Sequence, residues 1–194
     1  MSTASGTRLP LELLESIVDE SSDDKRSLQV LVLTCRALLP RSRSHLFTRI
    51  VISTKAQVDS VGDFLDRRAW LGRLVRHIRI SQTTGDDHHF LSIFPSILFS
   101  RLPKIIGLEL TNSNQALWKN PSIKFHRATL TALRWNNGHC IRRLDVSNTV
   151  FSTDSELLRL VLSFPSLRTL SSIKVEVRRM SLDFAASEIG RAHV

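Results

Sequence analysis

The chain has no tyrosine, only two cysteines and only seven glycines in 194 residues. Each scarcity removes a class of function. The lack of tyrosine and the scarcity of aromatics in exposed-looking positions argue against a base-stacking platform of the kind that holds single-stranded nucleic acid. The glycines never gather into a loop that could cradle a phosphate. Cys35 and Cys140 lie on unrelated segments, Cys35 on an apolar helical face, so reduced thiols are expected rather than a disulfide. No apolar run approaches the roughly 18–20 residues of a membrane span, and the leading MSTASGTR lacks the apolar core of a secretory signal. A cytoplasmic or nuclear protein is the expectation, with residues 1–8 as a disordered N-terminus.

What is present is a hydrophobic content of 42%, enough for one domain with a small appendage, and a net charge of +9. The charge is densest at Arg67, Arg68, Arg73, Arg76, His77 and Arg79. In that stretch Val75, Ile78 and Ile80 are apolar while their neighbours face water, so a solvated face accounts for the group. With no nucleic-acid module beside it, binding to nucleic acid is the weakest of the alternatives kept.

Catalytic chemistry finds no constellation. His88 and His89 are adjacent in a loop, a poorer arrangement for one metal ion than two histidines a helical turn apart. His139 and Cys140 lack the base and orienting group that a nucleophile needs. The acidic residues Asp19, Glu20, Asp23 and Asp24 join two helices and lack the alternating oxygen ligands of a calcium loop; they are expected to cap the second helix. No catalytic residue, metal or cofactor is assigned, and the chain is read as a non-enzyme.

Residues 9–50 read as three short helices. Pro10 suits the first helical position, where its missing N–H has no partner to lose. Leu13, Leu14, Ile17 and Val18 then fall at helical spacing on one face, with Glu12, Glu15 and Asp19 on the other. Asp23 and Asp24 are candidate caps for a second helix, whose apolar line runs Leu28, Leu31, Cys35, Leu38. Pro40 ends that helix and opens a third carrying Leu46 and Phe47. So small a segment must cover its apolar faces with the rest of the chain or with a partner, and periodicity does not choose between them.

Leu9, Pro10, Glu12, Leu13 and Ile17, followed by Leu28, Leu31, Cys35, Arg36, Leu46, Phe47 and Ile50, resemble the F-box, especially the F-box-like form of mushroom-forming fungi. The resemblance covers about the first quarter of the chain; Leu38 stands where the family usually has tryptophan. It implies a head that docks onto a Skp-family linker subunit of a cullin-based ubiquitin ligase. On that reading Leu9, Pro10, Leu13, Ile17 and Leu31 bind the linker, while Glu12, Cys35 and Leu38 shape the helical hairpin. Two alternatives stay open: the same face folds back as an intramolecular cap, or the head binds something unrelated to ubiquitin.

Beyond the head, residues 51–187 read as a degenerate leucine-rich-repeat-like region. Strand-like pieces at 50–52, 75–80, 105–110, 130–135, 141–146 and 167–170 alternate with helical stretches at 55–70, 88–102 and 154–164. Equivalent positions Ile50, Ile78, Leu108, Leu133, Leu144 and Leu170 are 28, 30, 25, 11 and 26 residues apart, at or near the repeat length of leucine-rich repeats except for the fourth. The segment from Phe164 to Leu170, FPSLRTL, is similar to the helix-to-strand junction of such repeats, and Arg101-Leu102-Pro103-Lys104-Ile105 is a degenerate copy. The short interval contains Asn137-Gly138, which predicts either a β-hairpin over 130–146 or a repeat without its helix, since a parallel crossover needs a dozen residues or more. Gly72 and Gly107 read as close-packing or turn positions. The fold class expected is therefore α/β, a three-helix F-box-like head followed by an irregular α/β solenoid.

Residues 171–187 continue as protein, with Ile173, Val175 and Val177 alternating as in a strand. Residues 188–194, EIGRAHV, are similar to the translation of a common sequencing-adapter sequence that then runs into a stop codon. They are expected to be a non-native tail on a longer natural chain, whose repeats would lose their terminal cap and expose an apolar edge. The function expected is a substrate-recognition adaptor, its head on the linker and its repeats on an unknown protein substrate. The alternative is a repeat scaffold outside ubiquitin chemistry.

Overall fold

The computed structural model describes residues 9–82, 90–112, 125, 127–135 and 138–179. The chain divides into two compact units, Met1–Arg49 and Ile50–Val194. His88-His89, Asn136-Asn137, residues 1–8 and residues 188–194, each singled out by sequence, lie outside the described residues.

Among its described residues the first unit holds three helices, α1 (Leu11–Glu20), α2 (Lys25–Thr34) and α3 (Leu39–Thr48). Pro10 sits at the N-cap of α1, one residue earlier than expected, and its carbonyl accepts from the N–H groups of Leu13 and Leu14. Of the two candidate caps for α2, Asp24 does the work, accepting from Arg26 N–H at 2.9 Å and Ser27 Oγ at 2.6 Å. Val18, Leu28 and Leu38 form the buried core, with Leu14, Leu31 and Leu46 packed against it. The apolar line expected through Cys35 is broken. Helix α2 stops at Thr34, and Cys35 is its C-cap, in extended conformation and exposed to solvent. Leu38 reaches the core from the turn that follows.

Among the described residues the second unit is a mixed α/β structure around a five-stranded sheet, whose first strand starts one residue before the unit boundary, in the order β1 (Arg49–Ile52), β2 (His77–Gln82), β3 (Gly107–Asn112), β4 (Arg143–Thr153), β5 (Thr169–Arg179). The β2–β3, β3–β4 and β4–β5 ladders are parallel. Helices α4 (Lys55–Arg67), α5 (Ala69–Gly72), α6 (Phe90–Leu98), α7 (Arg127–Trp135) and α8 (Asp154–Leu162) occupy the connections. Parallel neighbours in chain order, joined by crossovers of one hand, place the connecting helices on a single face. Burial follows. Ile78, Ile80, Leu108, Leu110, Leu144 and Val146 are buried, whereas the alternating residues Arg79, Glu109 and Asp145 keep partial access to solvent.

Ile78, Leu108, Leu144 and Leu170 are direct register partners, 30, 36 and 26 residues apart. A second periodicity runs through the strand starts. Arg76 carbonyl accepts from the N–H groups of Ile106 and Gly107, Ile106 carbonyl from Arg142 and Arg143, and Arg142 carbonyl from Arg168 and Thr169. Before β3 and β5 comes the same four-residue turn, with Ile105 N–H donating to Leu102 carbonyl and Leu167 N–H to Phe164 carbonyl. Helices α4 and α8 also begin alike: Thr54 and Thr153 accept from the N–H groups of Gln57 and Glu156, whose side chains accept in return from Ser53 and Ser152 N–H. Each is a reciprocal cap resembling a capping box, except that the returning side chain reaches the residue before the N-cap.

The hairpin expected over 130–146 is not formed. Residues 127–135 are the helix α7, and β4 pairs parallel with β3. Helical spacing turns Leu133 into the core and leaves Trp135 79% exposed, which a strand carrying both on one face would not do. Gly138 has a different task from the turn it suggested. Any Cβ there would collide with the Leu133 carbonyl oxygen, so its lack of a side chain lets the chain turn closely beneath the end of α7. Once Leu133 is removed from the strand positions the 11-residue interval vanishes, and the crossover from β3 to β4 has ample length. Gly72 and Gly107 are close-packing positions as expected, a Cβ meeting Arg101 carbonyl in one case and the His77 ring in the other.

The β4–β5 ladder is interrupted once. Asn148 and Lys174, with φ of 51° and 53°, fall between the register pairs Ser147–Ile173 and Thr149–Val175. On β5, Leu170 is 48% exposed although its partner Leu144 is fully buried.

Candidate functional site: an apolar strip on the first helix

Apolar residues on α1 divide into two directions. Leu14 and Val18 pack into the head, while Leu9, Leu13 and Ile17, each four residues from the next, are 55%, 52% and 46% exposed. Residues four apart on a helix stand one above another, so Leu13 and Ile17 form a continuous strip that Leu9 extends past the N-cap. Pro10, between Leu9 and the helix, is exposed as well. Leu31 differs from the others expected to bind the linker, being half-buried at the edge of the head core. Leu38 is part of that core. Glu12 is exposed; its carbonyl accepts from Ser16 Oγ at 2.9 Å, while its carboxylate makes no hydrogen bond or ion pair among the described residues. Sequence reading also missed Leu11 on α1 and Val30 and Leu33 on α2, all exposed. The signal was available, because Val30 and Leu33 stand three apart and off the Leu28–Leu31 line. A helix apolar on two sides has more apolar surface than one core contact needs.

The strip is held on a braced helix. Asp19, near the C-terminal end of α1, accepts from Arg41 Nε and Nη2 at 2.7 Å each and lies 2.7 Å from His45 Nε2, both on α3. A carboxylate at a helix C-terminus opposes the helix dipole, and the two α3 side chains offset that repulsion. Hydrogen bonds from Arg41, then from His45, hold the Asp19 carboxyl well below the usual carboxylate range, and the same contact raises Arg41. Asp19 was expected to help cap α2; it joins α1 to α3 instead.

The arginine-rich stretch is partly spent on internal contacts. Arg79 Nε lies 2.8 Å from Glu109, Arg68 stands 5.1 Å over the Phe64 ring, and Arg76 donates to the Lys104 carbonyl. Across the open sheet face Arg79, Glu109, Asp145 and Ser171 share one register row, and Arg143 donates to Asp145 at 2.7 Å. No cluster of three potential metal ligands occurs among the described residues, and no helix among them is long and apolar enough to cross a membrane. Cys35 and Cys140 are both free thiols.

Comparison with known proteins finds no matching family model, no matching curated protein and no matching solved structure.

Proposed function

We propose that the chain is a substrate-recognition adaptor of a Skp/cullin/F-box-type ubiquitin ligase. The observation that carries the reading is the division of α1. A head with its own core of Val18, Leu28 and Leu38 still presents Leu9, Leu13 and Ile17 to solvent. Apolar strips of this kind on small helical units mark interaction surfaces, because contiguous exposed apolar area is costly to leave in water. The residues in the strip are those that the F-box resemblance gives to the linker subunit. On this reading the linker covers the strip and a cullin follows it. The strands of the second unit, repeating in register as a leucine-rich-repeat-like solenoid would, hold a protein substrate. The ubiquitin chemistry belongs to other subunits.

The test is co-precipitation of a Skp-family linker and its cullin with the full chain. Wild type retains both, and Leu13→Ala/Ile17→Ala loses both, as expected for apolar anchors worth about 2 kcal/mol or more each at an interface core. A wild-type chain that captures neither partner overturns the proposal.

A further inference from the structure

We infer that the groove between α7 and α8 is a docking site for an acidic peptide segment that carries an apolar side chain. The groove has a volume of about 680 Å³. Arg127 and Arg134 line it from α7 and Arg159 from α8, all three exposed. None of the three guanidinium groups has a carboxylate partner among the described residues. Glu156 also lines the groove, but one of its carboxylate oxygens accepts from Ser152 N–H at 2.9 Å at the start of α8. Three arginines against one carboxylate leave the groove electropositive, and arginine's planar fork is suited to paired hydrogen bonds with carboxylates.

The apolar part of the groove selects among anions. Trp135 is 79% exposed and Leu162 is 64% exposed, with half-buried Leu130 nearby in the lining. A tryptophan and an arginine side by side at a surface are the residue types that most often carry binding energy. Small-molecule sites enclose about 70–90% of their ligand, whereas walls this exposed suit an extended chain lying across two helices. Aliphatic Leu130 and Leu162, in the same lining as the cations, offer a seat for a leucine or phenylalanine side chain. The inference rests on the adaptor reading only for calling that peptide a substrate.

The test uses the full chain without any linker subunit, so its outcome is independent of whether the head binds one. A fluorescein-labelled peptide, EDELFDEE, is titrated by fluorescence polarisation at low and at moderate salt. Saturable binding is expected, with Arg134→Ala and Arg159→Ala each weakening it by about tenfold, Trp135→Ala by at least as much, and Arg67→Ala/Arg73→Ala outside the groove leaving it unchanged. The charge-reversed peptide KRKLFKRR should not bind. Failure of the acidic peptide to bind at low salt overturns the inference, as does binding that Arg134→Ala/Arg159→Ala does not weaken. So does a single-stranded oligonucleotide that displaces the peptide and binds more tightly through the same arginines, which would make the groove a nucleic-acid site.

Discussion

Leu144 and Leu170 are the same position in two successive strands, yet one is fully buried and the other half in solvent. On the head, Val18 and Ile17 are neighbours in one apolar run, and they too part company, one buried and one exposed. The two splits have different origins. In the sheet, register assigns both leucines to the same face, and what differs is the cover: Leu144 lies under helices, while Leu170 is left half in solvent among the described residues. In the head, the face itself is in question. A helix with an apolar stripe wider than its core contact must leave the stripe's margin outside. Positions matched across neighbouring strands thus kept one face, whereas consecutive apolar residues on a helix, about 100° apart, did not.

The largest effect that can break this comparison lies in the sheet. Leu144→Ala should cost about 2–5 kcal/mol, as a buried leucine does when it leaves a cavity, whereas Leu170→Ala should cost less than about 1 kcal/mol. Urea unfolding of both variants measures the difference; equal losses would mean that β5 is covered in solution. The head offers the second contrast. Leu28→Ala should lower the protection of head amides in hydrogen exchange by about 2 kcal/mol or more, and Leu13→Ala by less than about 0.5 kcal/mol.

A smaller effect is expected where the β4–β5 ladder is interrupted. Lys174 carries φ of 53°, a conformation that costs a side-chain-bearing residue roughly 1 kcal/mol and glycine nothing. Lys174→Gly should therefore raise stability by a few tenths to about 1 kcal/mol by thermal unfolding, despite glycine's greater unfolded-state entropy. The same change at Lys55, within α4, should lower it.

The smallest effect separates the braced helix from the sheet by pH. Asp19 is held below its ordinary carboxyl value by hydrogen bonds from Arg41 and then His45. A depressed folded-state value means that its contribution is complete above about pH 4 and is lost as the pH falls below that toward its folded value. Asp19→Asn should remove this acid-side loss in the head and leave the sheet unit's acid profile unchanged; hydrogen exchange across an acid titration tests both halves.

The alternating apolar pattern made the sheet legible wherever a strand had a helix over one face. Ile78, Leu108, Leu144 and Leu170 could be matched before any ladder was seen, and the proline-marked junctions at Leu102 and Phe164 do precede strands. Leu130 to Trp135 was misread because apolar residues two and three apart satisfy a strand and a helix equally over six residues, and Asn-Gly tipped the balance to a turn. The deciding contact, Gly138 beneath the Leu133 carbonyl, is local, and a glycine shortly after a helix is itself a stop signal that the Asn-Gly turn reading overrode. In the head, helix starts at Pro10 and Asp24 were readable from capping chemistry. The Asp19 bridge to Arg41 and His45 joins residues 22 and 26 positions apart and was not. The candidate strip was legible as a set of residues, through resemblance, but not as a direction, because only packing separates Leu13 from Leu14.

The central claim is that Leu13 and Ile17 serve a partner and not the fold. The most direct measurement is the unfolding midpoint and the linker-subunit affinity of Leu13→Ala/Ile17→Ala in the full chain, taken side by side with wild type. The account predicts a midpoint within a few degrees of wild type and binding weakened by at least about a thousandfold, the equivalent of roughly 4 kcal/mol. A chain that loses stability while keeping its affinity would contradict it, and would make the strip part of the fold.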